Sequence, residues 1–412
     1  MSSAHPEGAD PPLATLADDT ARFLAAVGEE ITSSLRYAAN GRRRTIEGLP
    51  ASVLDRRTRL EDLVDDLVRA GGKLVRPRVL FLGHLAVGPG CEHGCRERAE
   101  AAVADPQLAR LGSALELLHV FGLLQDDVMD EADTRRGAPT AHRAVAGRLA
   151  ASRPAGPSEP SGPFESSEPS DPSKAREAAP DRSDDGLGEA ARFGESLAVL
   201  AGDLVFALAQ RQVRGLPACV GQAGDDAVLE LVQGQRLDLV FAAQGRFDQP
   251  STERAAAAKS GAYTVTRPLE LGALLAAPHA APPEWLTEFG EHVGLAFALA
   301  DDVLGIWGDP DVTGKPVGDD LAQRKPTTVL GIADRLLDGL LHERLRPDLP
   351  APSPAQVAEL VAAMDAAGVR AEADRRIGAH LEAATGLLEH VACVHVRAEL
   401  AQLASKLALR PS

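Results

Sequence analysis

Two pairs of adjacent aspartates lie far apart in the chain, and each pair follows a strongly apolar stretch. The first pair, Asp126 and Asp127, is followed by Asp130, and the second pair is Asp301 and Asp302. Carboxylates so close to apolar segments are costly to bury unless a positive charge meets them. In a helix, Asp126 and Asp130 share a face, so their oxygens can converge on a hard cation such as Mg²⁺. The spacing therefore predicts helices that bind metal.

Basic residues accompany both acidic segments. Arg135 and Arg136 follow Asp130 closely, and Lys315 and Lys325 follow the second aspartate pair. Arginine and lysine hold phosphate oxygens, while Mg²⁺ bridges carboxylate and phosphate oxygens. A solvent-exposed acidic helix end would explain either run alone, but it does not explain the apolar segments before the runs and the cations after them. The combination favours a substrate that carries a diphosphate.

Helix-period apolar patterns extend from about residue 18 to the end of the chain, with few alternating β-branched residues. Aromatic residues make up only 3% of the sequence, so the core must be mainly aliphatic. A chain of 412 residues could hold roughly two or three domains, but the continuous pattern predicts one large all-α domain over residues 18–412. Residues 1–17, which are polar and acidic, are predicted to form a flexible tail.

One segment inside this domain has a different composition. Residues 151–190 are rich in Pro, Ser, Glu and Asp and poor in apolar side chains, so they cannot bury enough surface to offset the entropy lost on ordering. We predict a disordered insertion in an exposed loop, ahead of a helix that begins near Phe193. It is either a neutral spacer or a docking segment for a partner, with Phe164 as its aromatic anchor.

Charge and cysteine content argue against several classes of protein. The formal net charge of -17 argues against binding of nucleic acid, which requires a basic face. The four cysteines do not have the pattern of a disulfide framework, and the run from Cys91 to Cys95 lacks the second half of a zinc motif. The first residues do not resemble a signal peptide, and no apolar run is long enough to span a bilayer. We therefore expect a cytoplasmic protein without an integral membrane segment.

The sequence resembles the trans-isoprenyl diphosphate synthases over most of its length. Six elements occur in the order typical of that family: Gly71-Gly72-Lys73-Leu74-Val75-Arg76-Pro77, residues 123–143, Ala201-Gly202-Asp203, Gly234-Gln235 with Asp238, Lys259-Ser260, and residues 301–327. Any one of these elements alone is weak evidence, and their shared order gives the resemblance its weight. The implied fold is a helical bundle around a central apolar cavity, and the implied assembly is a homodimer.

The resemblance also implies a role for each matching residue. Asp126, Asp130 and Asp301 would be ligands of about three Mg²⁺ ions per site, and Lys259 would join them in catalysis. Isopentenyl diphosphate would be held by Lys73, Arg76, His119 and Arg136. The allylic diphosphate would be held by Arg135, Lys259, Ser260, Lys315 and Lys325. The implied reaction is condensation of these two small-molecule prenyl diphosphates.

Two positions depart from the family pattern, whose second region reads F-Q-x-x-D-D-x-x-D. Ala298 stands in place of the glutamine, and Gly305 stands in place of the last aspartate. Loss of the glutamine leaves open a non-catalytic, regulatory subunit of the same fold. A class I terpene cyclase is a further alternative, although the Gly-Gly-Lys element and the arginine pair point to an isopentenyl site that a cyclase would not need.

The residues just before Asp126 bear on product length. Phe121 would lie about 7.5 Å from Asp126 along a helix axis, on the floor of the cavity that holds the growing chain. Gly122 leaves space that a second aromatic side chain would close. In the family, this arrangement resembles that of enzymes that make C20 geranylgeranyl diphosphate, with farnesyl diphosphate as primer. The alternative is that Phe121 only packs between helices.

Overall fold

The part of the chain that the structure describes folds almost entirely into helices. The computed structural model describes residues 13–45, 59–69, 72–87, 95–135, 137–152, 186–310 and 316–409. Within these ranges the only β-structure is a hairpin of two-residue strands, β1 (Thr134–Arg135) and β2 (Ala138–Pro139), which pair antiparallel. The all-α class predicted from the sequence is confirmed.

The helices are numbered in chain order. They are α1 (Leu13–Thr45), α2 (Leu60–Arg69), α3 (Val75–Ala86), α4 (Cys95–Ala104), α5 (Pro106–Met129), α6 (Ala141–Ser152), α7 (Gly186–Val213), α8 (Ala218–Gln244), α9 (Gln249–Ala256), a π-helix (Ala257–Thr266), α10 (Arg267–Ala276), α11 (Glu284–Trp307), α12 (Asp319–Ala322), α13 (Thr328–Leu336), α14 (Leu340–Arg344), α15 (Pro354–Ala366), α16 (Val369–Leu387), a 3₁₀ turn (Leu388–His390) and α17 (Val394–Ala408).

The chain divides into two compact units. We call residues 1–34, 72–117 and 208–412 the first unit, and residues 35–71 and 118–207 the second unit. Helices α1, α5 and α7 continue across the boundaries between these ranges. The second half of α5, which carries the first aspartate pair, belongs to the second unit, whereas α11 and the second pair belong to the first unit.

The core of the first unit is built around α11. Ile306 of α11 is fully buried together with Leu330 of α13 and Met364 of α15, and Phe247 is a buried aromatic in the same cluster. The other members are almost all aliphatic, as the low aromatic content implies. This packing holds the C-terminal part of α11, where the second aspartate pair lies.

The π-helix joins α9 to α10 without a break. Segments of this kind are rare and are frequently found at functional sites. Helix α8 approaches the π-helix at Gly234, where an added Cβ would lie 2.6 Å from the backbone nitrogen of Lys259. Since real Cβ atoms do not approach backbone so closely, the contact requires glycine at position 234.

Several helix ends differ from the boundaries expected from sequence. Helix α1 begins at Leu13, so residues 13–17 of the expected tail are helical. Helix α6 ends at Ser152 and α7 begins at Gly186, so helices extend into both ends of the interval 151–190. Residues 1–12 and 153–185, where the rest of the tail and of the insertion are predicted, lie outside the described residues.

Two further sequence expectations concern cysteines and membrane spans. Cys219 is a free thiol, whereas the buried Cys393 is disulfide-bonded, which the cysteine count did not predict. One described helical stretch, Glu189–Val213, is long and apolar enough to cross a membrane. Core helices of soluble proteins meet the same criteria, so this stretch alone is weak evidence for a span.

The contact between α8 and the π-helix can be tested by substitution of glycine. We expect Gly234→Ala to lower the free energy of unfolding by about 1–3 kcal/mol, because the new methyl group overlaps backbone that cannot move aside. Gly221→Ala, on the same helix, is the control, since no atom lies within 4 Å of its added Cβ and alanine favours a helix by up to about 1 kcal/mol. Urea unfolding of both variants measures the difference, and equal stability would contradict the close contact.

Candidate active site

The first unit contains a cavity of about 310 Å³ that brings acidic and basic side chains together. It is bordered by α8, the end of α9, the π-helix, α11 and the segment from α12 to α13. Its polar lining consists of Asp238, Lys259, Ser260, Asp301, Asp302, Asp320, Lys325 and Thr327. Ala298 and Gly305 also line it, so both departures from the family pattern occur at one cavity.

The two aspartates of α11 have different environments. Asp301 is exposed at the cavity, whereas Asp302 accepts hydrogen bonds from the backbone N–H groups of Thr328, at 2.7 Å, and Val329, at 3.4 Å. These N–H groups form the N-terminus of α13, which stabilises a carboxylate. Burial, followed by the charge of Asp320, raises the pKa of Asp302 well above its usual range. Asp302 therefore joins α11 to α13, and Asp301 is the member of the pair presented at the cavity surface.

Lys259 is positioned by α8 through both backbone and side chain. Its Nζ donates to Asp238 Oδ2 at 2.5 Å, and Asp238 lies about one helical turn after Gly234. Gly234 admits the backbone of residue 259, and Asp238 then orients the ammonium group. The Gly-Gln-x-x-Asp element thus has a physical reason for its spacing.

Lys325 follows a residue in an unusual backbone conformation. Arg324 has a φ of 53°, in the left-handed region that favours glycine. Its guanidinium donates to the carbonyl oxygens of Leu349 and Pro350, and the Lys325 N–H donates to the Asp320 carbonyl at 2.9 Å. These bonds stabilise the backbone that brings Lys325 to the cavity.

Arg76, at the start of α3, lies against the π-helix. Its Nη2 donates to Thr264 Oγ1 at 3.0 Å, and its guanidinium lies 4.2 Å from the centroid of the Tyr263 ring, which is a cation–π contact. Tyr263 is buried, and this burial raises the pKa of its hydroxyl. Lys73 is exposed on the segment just before α3. Tyr263 and Thr264, which orient Arg76, therefore lie one turn along the π-helix from Lys259 and Ser260.

The first aspartate region extends α5 in the second unit. The Asp130 N–H donates to the Asp126 carbonyl at 2.8 Å, so these two residues lie on one helical face, as their spacing predicts. Asp127 is buried, and its Oδ1 accepts hydrogen bonds from Arg135 Nε at 2.8 Å and Nη2 at 2.6 Å. The second aspartate of this pair and Arg135 thus hold each other. The family resemblance had implied only a substrate contact for Arg135.

The α5 residues upstream of Asp126 face α7. The Phe121 ring lies 5.3 Å from the Phe206 ring, between centroids. An added Cβ at Gly202 would lie 3.6 Å from Phe121 Cδ2, so the Ala-Gly-Asp element packs against the same ring. A Cβ at Gly122 would meet no atom within 4 Å, and position 122 therefore opens onto free space. His119 is half-buried on the same helix, about two turns before Asp126.

Some expected site residues lie outside the described part of the chain, namely Arg136 and Lys315. Conversely, sequence inspection missed the contributions of Asp320, Thr264 and Phe206. Asp320 stands within the second motif region, but its distance from Asp301 along the chain gave no sign that both line one cavity. Phe206 lies one turn after the Ala-Gly-Asp element, and a pattern of aromatics facing each other on two helices could have suggested it.

The donor set of the cavity suits a cation that binds together with a diphosphate. Mg²⁺ commonly takes one or two protein carboxylates and completes its octahedral shell with phosphate oxygens and water. Asp301 and Asp320 would supply carboxylates to such a cation, and Lys259 and Lys325 would supply charges for the remaining phosphate oxygens. Among the described residues, no three His, Cys, Asp or Glu side chains form a group that could hold a metal ion by themselves.

Comparison with known proteins gives a consistent result. The polyprenyl synthetase family model matches residues 57–152 and 188–346. The (2E,6E)-farnesyl diphosphate synthase of Mycobacterium tuberculosis is 31% identical over 261 residues, which are 62% of this chain and 55% of that protein. A geranylgeranyl diphosphate synthase of the same organism is 34% identical over 222 residues, 53% of this chain and 49% of that protein. The chain thus spans about half the length of these curated relatives.

A solved structure resembles most of this chain. It is the crystal structure of geranylgeranyl pyrophosphate synthase from Corynebacterium glutamicum complexed with isoprenyl diphosphate and magnesium. It is 28% identical and has a TM-score of 0.72, and the alignment covers 95% of this chain and 99% of that one. Since the family model covers more than half of the sequence and the helical fold agrees, this chain belongs to the polyprenyl synthetase family.

Proposed function

We propose that this protein is a Mg²⁺-dependent prenyltransferase that condenses an allylic diphosphate with isopentenyl diphosphate to give a longer trans-prenyl diphosphate. The observation that carries the proposal is the cavity in which Asp301 lies together with Lys259 and Lys325. Carboxylates and lysines at one cavity match a substrate that is bound partly through metal and partly through ammonium groups. The names of the mycobacterial relatives and the ligands of the corynebacterial structure support the same chemistry.

The residues of the chain have distinct tasks in this reaction. Lys259, Ser260 and Lys325 hold oxygens of the allylic diphosphate. Asp126, Asp130 and Asp301 would hold Mg²⁺, which would neutralise the charge that develops on the leaving diphosphate. The allylic carbon–oxygen bond breaks, and the diphosphate leaves with the electron pair. The double bond of isopentenyl diphosphate then forms the new carbon–carbon bond, and the proton lost from the adjacent carbon goes to the released diphosphate.

Isopentenyl diphosphate needs a second set of cations. Lys73 and Arg76 supply it in the first unit, and His119 and Arg136 are the further residues that the family resemblance suggests. The contacts of Arg76 with Tyr263 and Thr264 orient its guanidinium before the substrate binds, which lowers the entropy lost on binding. Aliphatic side chains around the prenyl tail exclude water, which would otherwise hydrolyse the allylic cation to an alcohol.

We propose geranylgeranyl diphosphate as the product and farnesyl diphosphate as the primer. Phe121 and Phe206 lie together beside the first aspartate region, and Gly122 opens onto free space. On α5 the aromatic Phe121 is followed by glycine and not by a second aromatic residue. This sequence favours a product longer than C15. The relatives include both farnesyl and geranylgeranyl diphosphate synthases. The proposed product length therefore rests on the pocket residues of this chain.

We also propose that the protein is cytoplasmic and forms a homodimer. Leu229, Val232 and Leu239 are exposed apolar side chains on α8, with 63%, 49% and 41% of their surface accessible. Apolar side chains grouped on one helix are typical of a surface that another protein covers. Sedimentation equilibrium at micromolar concentration tests this: we expect the dimer mass for the wild type and the monomer mass for Leu229→Lys combined with Val232→Lys. A monomeric wild type would contradict the proposal.

The metal-binding aspartates give the first test of activity. We expect Asp126→Ala and Asp301→Ala each to lower the condensation rate at least about 100-fold, because each removes an anionic ligand from a site that supplies several kcal/mol of charge stabilisation. Asp225→Ala, an exposed aspartate on α8, is the control and should keep full activity. The assay supplies Mg²⁺, isopentenyl diphosphate and each allylic primer in turn, and circular dichroism checks the fold.

Three results of that assay would contradict the proposal. Full turnover by either aspartate variant would show that the metal site is built differently. Absence of turnover in the wild type with every primer would favour a regulatory subunit of the same fold. Release of cyclic hydrocarbon without isopentenyl diphosphate would instead indicate a terpene cyclase.

Product length gives a separate test. We expect Phe121→Ala to shift the products beyond C20, because loss of the ring deepens the cavity, and Gly122→Phe to shorten them toward C15, because the new ring enters open space. Phe193→Ala, an exposed aromatic on α7, is the control and should leave C20 as the main product. Chromatography of the dephosphorylated products measures chain length. If C20 stays the main product in both α5 variants and only thermal stability falls, Phe121 has a packing role alone.

A further inference from the structure

The loop after the first aspartate region is held by two side chains at the start of α6. Thr140 Oγ1 lies 2.7 Å from the Ala132 carbonyl oxygen and 3.2 Å from His142 Nδ1. A hydroxyl has one proton, and the contact with a carbonyl oxygen requires it there. His142 Nδ1 must therefore carry a proton and donate it to the hydroxyl oxygen. We call this chain of two hydrogen bonds, from His142 through Thr140 to the Ala132 carbonyl, the relay.

The relay starts from a firmly packed part of the second unit. Thr140 and His142 are only 1% and 3% exposed. The Thr140 carbonyl accepts the Ala144 N–H at 2.8 Å in the first turn of α6. Helix α7 lies directly on this turn, because an added Cβ at Gly194 would overlap the His142 carbonyl oxygen. The relay therefore connects the loop to a fixed helix start.

The loop that the relay holds is the β1–β2 hairpin together with the residues before it. Thr140 directly follows β2, and its N–H donates to the carbonyl of Asp133, the residue before β1, at 3.0 Å. The relay adds a bond from the Thr140 side chain to Ala132, one residue earlier. Backbone and side chain of Thr140 thus both close the open end of the hairpin.

Ala132 lies between Asp130 and Arg135 in the chain. Its N–H donates to the Asp127 carbonyl at 3.0 Å, and the Asp127 carboxylate is the partner of the Arg135 guanidinium. A displacement of Ala132 would therefore move the segment that joins Arg135 to the aspartates of α5.

We propose that Thr140 and His142 are positioning residues for Arg135, acting through the relay to the backbone of the hairpin. The inference rests on the proposed function, since the family resemblance implies that Arg135 contacts the allylic diphosphate. The Arg135 charge also interacts with the charges of Asp126 and Asp130, which are the proposed metal ligands of this region. Thr140 and His142 themselves touch no substrate.

Binding of inorganic diphosphate in the presence of Mg²⁺, measured by isothermal titration calorimetry, tests the relay without reference to turnover. We expect Thr140→Val, which removes the hydroxyl and keeps the size of the side chain, to weaken diphosphate binding about 10-fold. Thr140→Ser keeps the hydroxyl and should restore most of the affinity. In a turnover assay Thr140→Val should raise KM for the allylic diphosphate more than it lowers kcat, because Arg135 is a binding group.

A second buried threonine supplies the matched control. Thr20 is 3% exposed, and its hydroxyl donates to the Leu16 carbonyl at 2.9 Å within α1. Thr20→Val therefore removes the same kind of hydrogen bond at a distance from the hairpin in sequence and in the first unit. We expect both valine variants to lower the thermal midpoint, and only Thr140→Val to weaken diphosphate binding.

Two further comparisons identify the path of the effect. If Thr140 acts through Arg135, Thr140→Val should cause no further loss of affinity in an Arg135→Ala background, so the two changes are not additive. His142→Leu removes the donor and should weaken binding as Thr140→Val does. His142→Asn keeps an N–H donor on the atom attached to Cγ and should retain more affinity than His142→Leu.

The outcomes separate this inference from the proposed function. Wild-type affinity in a folded Thr140→Val protein, or an equal loss in Thr20→Val, would overturn the positioning role while metal-dependent turnover by the wild type still stood. If the wild type binds diphosphate with Mg²⁺ but elongates no primer, the proposed function fails, and the Thr140 variants still decide the role of the relay. A wild type that binds no diphosphate would overturn both.

Discussion

The structure depends on how aspartates next to apolar helices are partnered. In both aspartate pairs the second member is held by protein: Asp127 by the guanidinium of Arg135, and Asp302 by the N-terminus of α13. The ion pair with Arg135 offsets the desolvation of Asp127, whereas burial raises the pKa of Asp302 well above its usual range and its hydrogen bonds to α13 offset only part of that effect. In the proposed reaction the first members, Asp126 and Asp301, bind the cation. Each pair thus contains one aspartate that is held by the protein and one that is a proposed metal ligand.

The π-helix connects two groups of cations within the first unit. Lys259 and Ser260 lie at its start and line the cavity, and Tyr263 and Thr264, one turn later, contact Arg76. In the proposed reaction these groups hold the two different diphosphates. Because a single helical segment carries both sets of contacts, helix geometry contributes to the distance between the two groups of cations. The close approach of α8 at Gly234 fixes the start of this segment.

Much of this arrangement could be predicted from sequence, since the apolar period gives the helices and the spacing of Asp126 and Asp130 gives their common face. Other features depend on contacts between distant residues. The motif alone is compatible with an Arg135 that contacts only the substrate. The ion pair between Asp127 and Arg135 becomes visible only in the three-dimensional structure. The π-helix leaves no signature in hydrophobic period, and the contact of Asp320 with Gly305 requires a turn whose geometry no motif specifies. The helical start of α7 at Gly186 was missed because polar composition in 151–190 masked the apolar face that follows.

The close contact of residues 305 and 320 makes the place of one carboxylate depend on the absence of a side chain on another helix. An added Cβ at Gly305 would lie 2.0 Å from Asp320 Oδ2, so any larger residue at position 305 has to displace that carboxylate. Asp320 lines the same cavity as Asp301, Lys259 and Lys325. A substitution at Gly305 therefore changes the arrangement of charge at the cavity even when the new residue is itself uncharged.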